Sequence, residues 1–254
     1  MNQQDFAQMF LPPDIHKGRK ALCIQPHPDD NEVGMGGIIP LLTADGCRVD
    51  YLTVTDGSLG TYTPKLTNEA LIQTRKEETL ASGKLLGVTD FHALGFSDGT
   101  LNDIPLLAGE IAQIIRQEHY DMIFAPDPWL SYEAHWDHVV TGRAAAQALI
   151  SSSLLAYPAE TNTPPASPFA IGFYFTNRPN MILDISDTFA LKFRAMAAHK
   201  SQFTEELLAL YRAYFTMRGQ TLAKEMGFAL GEGLRMMSPL HLHCFAEGEL
   251  IGGK

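Results

Sequence analysis

The sequence has no basic stretch. Nineteen Lys and Arg stand against 29 Asp and Glu, a formal net charge of −10. A nucleic-acid surface needs clustered positive charge to neutralise phosphates, so that function class is excluded. The same acidity argues against a polyanionic substrate or an anionic membrane surface. No stretch approaches eighteen consecutive apolar residues, as a transmembrane helix would. The opening segment, MNQQDFAQMF, lacks the basic start and long apolar run of a signal peptide, so a cytoplasmic protein is expected. Cysteine is scarce: Cys23, Cys47 and Cys244 occur with no CxxC spacing. An odd, sparse count fits a reducing compartment without a disulfide framework. Cys23, inside the apolar run KALCIQ, reads as a buried thiol.

What is present is a core-forming chain: 254 residues, 45% hydrophobic and 19% charged, a globular rather than a disordered composition. Strands are predicted at Ala21–Gln25, Val49–Thr55, Phe91–Leu94 and Met122–Ala125, and helices at Gly36–Ala44, Asn68–Leu86, Ile104–Gln117 and Asp137–Ile150. This βαβαβαβα order implies a parallel sheet covered on both sides. After Ser151 come a Pro- and Thr-rich loop over 158–168, strands at Phe169–Thr176 and Met181–Ile185, and helices at Phe189–Leu210 and Tyr211–Met226. The last thirty residues, rich in Gly and Met, give a weak signal. The expected fold is α/β, a Rossmann-like, mostly parallel sheet with helices on both faces plus a C-terminal extension. One domain is expected over 1–254, with residues 19–150 as the core carrying the chemistry and 151–254 as the extension.

In open parallel sheets, ligands bind beyond the carboxyl ends of the strands. The polar residues there are His27-Pro28-Asp29-Asp30 after the first strand, Asp56 after the second, Asp98 after the third, and Asp127 and His135-Trp136-Asp137-His138 after the fourth. Where a dinucleotide-binding fold places a glycine-rich turn, this chain has an imidazole and two adjacent carboxylates. Such a pair repels at neutral pH unless a cation sits among its members. Capping the next helix explains Asp30 or Asn31, but neither His27 nor the paired acids. His135 and His138, at i and i+3, share one face of a first helical turn. Two imidazoles and a carboxylate make a three-ligand zinc site with one open position. One of Asp29 and Asp30 can then bind metal while the other takes a proton from water. A further imidazole can stabilise an oxyanion or protonate a leaving amine, and Asp137 could orient such a histidine. His92 and His119 read as surface or cap residues, and His241 and His243 prove nothing by themselves.

These motifs resemble those of the LmbE-like (PIG-L) family of N-acetylglucosaminyl deacetylases, whose hallmarks are HPDD after the first strand and HxDH further on. The resemblance implies zinc on His27, Asp30 and His138, Asp29 as general base, and His135 acting on the oxyanion or leaving group. Trp136 stands where the family usually has Pro. The segments FAPDPWLSYEAHWDH, FTNRPNMILDISD, HKSQF and LGEGLRMM are similar to the diacetylchitobiose deacetylase branch. That branch implies sugar contacts from Arg75 and Asp98, a homohexamer, and His243 reaching an active site, with a small amino-sugar as the partner. Residues 1–18 have no counterpart in it. Three alternatives stay open. Within the same family, the substrate is another N-acetylglucosamine conjugate, a thiol precursor or an antibiotic intermediate. Two histidines and a carboxylate also form the facial triad of non-haem iron oxygenases, and a sugar-binding module would use the same pocket without a base.

Overall fold

A computed structural model describes residues 10–60, 67–159 and 161–252. Seven strands form one sheet: β1 (Lys20–Gln25), β2 (Arg48–Thr55), β3 (Asp90–Phe96), β4 (Met122–Pro126), β5 (Ala170–Tyr174), β6 (Met181–Asp184) and β7 (Gly231–Met237). Their spatial order is β3-β2-β1-β4-β5-β7-β6. The first five in that order run parallel, while β7 pairs antiparallel with both β5 and β6. The fold is thus the expected α/β class, with a mostly parallel sheet.

Side-chain alternation along the strands divides the core into two layers. Leu22, Ile24, Leu52, Val54, Ile123 and Ala125 pack on one face, against helices α4 (Ile104–Glu118) and α5 (Trp136–Ser151). Ala21, Cys23, Val49, Tyr51, Met122 and Phe124 pack on the other. There they meet α1 (Asp30–Met35), α2 (Ile39–Ala44) and α6 (Phe189–Met196), with α3 (Asn68–Leu86) and α7 (Glu205–Ala223) outside. Cys23 is a buried free thiol, as expected.

Local signals explain the elements that match the sequence. Thr67 caps α3 by accepting the Ala70 N–H, and Gly87 ends it at φ 87°, a left-handed conformation that favours glycine. Asp103 caps α4. His119 closes α4 in the left-handed region, the cap role its position suggested.

Three differences have tertiary causes. The helix predicted at Gly36–Ala44 starts only at Ile39, and a separate helix, absent from the sequence reading, begins at Asp30 directly behind the HPD turn. The break between them forms because a Glu232 oxygen accepts the N–H groups of both Gly37 and Ile38, at 2.9 Å each. The boundary predicted at 210/211 lies instead at 197–204, where Thr204 caps α7 through the Leu207 N–H. Finally, β7 lies within the segment whose sequence signal was weak. Its glycines leave room for neighbours: a Cβ on Gly233 would stand 2.8 Å from Pro179. Glycine also lowers intrinsic strand propensity, so pairing on both edges makes this strand. Among the described residues no helix is long and apolar enough to cross a membrane.

β1 lies between β2 and β4, so the chain winds outward in one direction from β1 and then returns to build in the other. The crevice at such a switch point is where open sheets bind ligands. The turn after β1 carries His27 to Asp30, and the segment after β4 carries His135 to His138.

Candidate metal centre

The turn after β1 is strained. Asp29 has φ 121° and ψ −21°, a conformation that non-glycine residues rarely adopt and that costs on the order of 1–3 kcal/mol. Buried Arg75 holds it from α3. The guanidinium donates to the carbonyls of Gly57 and Pro28, at 2.8 Å each, and its Nη2 lies 3.3 Å from the Asp29 carboxylate. Asp29 occupies the N-cap position of α1 but makes no side-chain cap bond. Its carboxylate is therefore left at the crevice.

Asp30 serves the turn and the centre together. One carboxylate oxygen accepts the His27 backbone N–H at 2.9 Å and lies 3.2 Å from His27 Nδ1. The other lies 3.3 Å from His138 Nε2. The donor atoms of His27, Asp30 and His138 all fall within 4.8 Å of one another. Two imidazoles and a carboxylate converging on one point are the donor set of a tetrahedral site with one position open.

The surrounding charge fits a cation. His27 Nε2 lies 3.2 Å from both Asp98 and Asp137, so three carboxylates touch one imidazole. Burial acts to lower the basicity of His27, yet bonds to Asp137, Asp30 and Asp98 push its pKa up to about 12. Burial likewise acts to raise the Asp30 carboxyl, but His138 and His27 hold it well below the usual carboxylate range. Asp29 goes the other way. Burial and the Asp30 charge push it up to about 7, against the pull of Arg75, His199 and His27. Adjacent acids with opposite shifts suit different tasks, one as ligand and one as proton acceptor.

His135 stands at the N-cap of α5, its ring centroid 4.4 Å from that of His27 and 5.3 Å from that of His138. Burial and the two neighbouring imidazoles lower its pKa. Asp137, expected to orient His135, has a carboxylate oxygen within 4.8 Å of a His135 ring nitrogen, but its hydrogen bonds go elsewhere. One of its oxygens lies 3.2 Å from His27 Nε2 and accepts the Gly99 N–H at 2.7 Å, while the other accepts the Leu101 N–H. The helical turn from His135 to Asp137 rotates the carboxylate inward to the sheet edge and leaves His135 exposed.

Two residues expected at the sugar are enclosed. Arg75 is spent on the turn, as described. Asp98 is only 5% exposed, facing His27 and accepting the Leu59 N–H. His243 is exposed beyond a short 3-10 turn (Leu240–Leu242), with its Nε2 3.4 Å from Cys244 Sγ, and it does not line the cavity at the centre. Asp56 holds neighbouring turns by accepting the Ser58 and Asp98 N–H groups.

Sequence reasoning misses what lies behind and beside the centre. Fully buried His199, from the HKSQF turn, faces Glu32 at 3.5 Å. Glu32 also accepts the Ser82 hydroxyl. Buried Lys192 pairs with Glu232 at 2.5 Å and donates to the Val33 carbonyl. The HKSQF and LGEGLRMM segments carry a sequence signal for His199 and Glu232, whereas nothing local marks Lys192. A cavity of about 680 Å³ opens from Asp29, Asp30 and His138 toward α7.

A family model described as GlcNAc-PI de-N-acetylase (PIG-L) matches residues 22–149, half of the chain. The diacetylchitobiose deacetylase of Thermococcus kodakarensis is 38% identical over 228 residues, covering 89% of this chain and 85% of that protein. The probable N-acetyl-alpha-D-glucosaminyl L-malate deacetylase 2 of Bacillus cereus is 33% identical over 201 residues, 75% of this chain and 86% of that protein. Among solved structures, N,N'-diacetylchitobiose deacetylase from Pyrococcus horikoshii, complexed with its inhibitor MPG, aligns with a TM-score of 0.89 at 32% identity. That alignment covers 99% of this chain and 98% of the other.

Proposed function

The chain belongs to the PIG-L family, and from that premise we propose that it is a zinc-dependent amidohydrolase that removes the N-acetyl group from an N-acetylglucosamine-containing sugar such as diacetylchitobiose. The observation that carries the reading is the convergence of His27, Asp30 and His138 donors within 4.8 Å, with a second acid, Asp29, beside them in the lining of a cavity. An iron oxygenase triad would leave Asp29 idle, and so would a sugar-binding module.

His27, Asp30 and His138 would hold a zinc ion, which would supply Lewis acidity and lower the pKa of water toward neutrality. The rest is the work of the chain. Asp29 accepts the proton of the attacking water. As the amide carbon becomes tetrahedral, His135 hydrogen-bonds the developing oxyanion or gives a proton to the departing amine. The C–N bond breaks, leaving acetate and the free amino-sugar. Asp98 and Asp137 hold His27 at its far nitrogen, which fixes the ring and raises its basicity as a ligand. Arg75 keeps Asp29 in its strained pose.

The same reading includes an oligomer, a hexamer by resemblance, in which His243 serves a neighbouring subunit's site. What supports it is the exposure of His243, away from its own chain's centre. A cytoplasmic location goes with this reading. The test is an acetate-release assay on diacetylchitobiose, with the enzyme first treated with chelator and then resupplied with zinc. Activity lost and restored in that order supports the proposal; chelator-resistant activity, or none with zinc present, overturns it.

A further inference from the structure

Helix α7 does not bury an apolar stripe as a globular helix normally does. Of its nineteen residues, only Gly219 and Ala223 are buried. Yet Leu207, Tyr211, Tyr214, Arg218 and Leu222, spaced along one side of the helix, all line the cavity that begins at Asp29, Asp30 and His138. The helix is thus a wall of the site. Its inner aromatics brace one another and the body of the protein: Tyr211 lies 5.7 Å from Phe203, and Phe215 lies 6.3 Å from Phe193, ring to ring. Tyr214 differs. It touches the Phe215 ring at 5.0 Å and is 48% exposed, so part of its ring stands open on the cavity. One turn further, Arg218 is anchored by a bond from Nη2 to the Thr176 carbonyl. Its guanidinium has further donors.

We infer that this wall is a second sugar subsite, with Tyr214 stacking on the pyranose next to the one being deacetylated and Arg218 hydrogen-bonding its hydroxyls. A pyranose has an apolar face of C–H groups and a rim of hydroxyls. An aromatic ring supplies the apolar contact, and a held guanidinium supplies donors at little entropic cost. The cavity volume of about 680 Å³ lies within the range of roughly 300–1,000 Å³ typical of small-molecule sites. The cavity is continuous from the metal ligands to α7, so one chain of linked sugars can occupy both ends. The inference rests on the deacetylase reading above and gives Tyr214 and Arg218 the task of favouring linked sugars over a single ring.

The zinc-loaded protein is assayed for acetate release from N-acetylglucosamine and from diacetylchitobiose. The quantity read is the ratio of the two kcat/KM values within one preparation, which cancels any loss of folded enzyme. The unaltered protein favours the disaccharide. Tyr214→Ala and Arg218→Ala each lower the ratio on the order of tenfold, the size of losing one good contact, whereas Tyr214→Phe retains it. A ratio near one in the unaltered protein, or one unmoved by both alanine variants, overturns the subsite. Calorimetric titration of both sugars into Asp29→Asn protein, with and without Tyr214→Ala, separates this failure from failure of the deacetylase reading. Tighter disaccharide binding that depends on Tyr214, without acetate release by the Asp29 enzyme, sinks the reaction and keeps the subsite. Equal binding of the two sugars sinks the subsite.

Discussion

The carboxylate of Asp137 lies 3.2 Å from Nε2 of His27, across 110 residues of sequence, while Nδ1 of the same ring faces Asp30 at 3.2 Å. One imidazole nitrogen thus points to the candidate metal position and the other is held from behind.

That relationship makes Asp137→Asn a test of ligand support rather than of proton transfer. Partners of this kind are worth roughly 10–100-fold in metal affinity. The variant should bind zinc more weakly by that factor in competition with a chromophoric chelator, with turnover at saturating zinc falling less. Unchanged affinity would show that the contact does not support the ligand.

Removal of a ligand is more severe. His138→Ala leaves two donors, which hold the ion poorly. Zinc content should fall far below one per chain and acetate release should stop. Chelator should lower the melting temperature of the parent, because binding to the native state stabilises it, and should scarcely move that of the variant. A variant with full zinc content contradicts the assignment.

Asp29→Asn should keep its zinc and lose turnover by about 10²–10⁴-fold, the usual contribution of a general base. The amide keeps the shape beside Arg75 but takes no proton from water. Loss of zinc together with turnover would mean that the roles of Asp29 and Asp30 are exchanged.

The Lys192–Glu232 pair gives a stability prediction. The Lys192 side chain is 1% exposed and Glu232 also holds the start of α2. Glu232→Ala strands a buried ammonium, and breaking such a pair costs about 3–5 kcal/mol. Denaturant unfolding should show an unfolding free energy lower by that amount, read as the midpoint shift multiplied by m. A loss below 1 kcal/mol would mean that Lys192 finds another partner or loses its proton, and burial already lowers its pKa.

The proposed trans role of His243 is tested by complementation. His243→Ala and Asp29→Asn proteins, each impaired, are mixed under conditions that exchange subunits. Some mixed sites then pair an intact Asp29 with a neighbour's intact His243, and activity should exceed that of either parent. No recovery despite demonstrated exchange, or a monomer in light scattering, removes the trans role.

By itself the sequence determined the elements whose causes are local. Helix α3 was legible end to end because Thr67 and Gly87 mark it by capping and by left-handed backbone. The parallel strands were legible because short apolar runs alternate with helices. The donors of the centre were legible because HPDD and HxDH each concentrate their residues within four positions at strand ends, where an α/β sheet binds ligands. Tertiary structure alone decided which group faces which. Asp137 sits two residues from His135 yet hydrogen-bonds His27 and the Gly99 and Leu101 N–H groups, because the fold brings those distant groups to the sheet edge where its carboxylate is buried. Glu232 separates α1 from α2, acting from a strand of weak local propensity, and the α7 wall meets the metal end of the cavity only when the chain after residue 151 folds back onto the sheet. Those contacts depend on distances through space that no local spacing encodes.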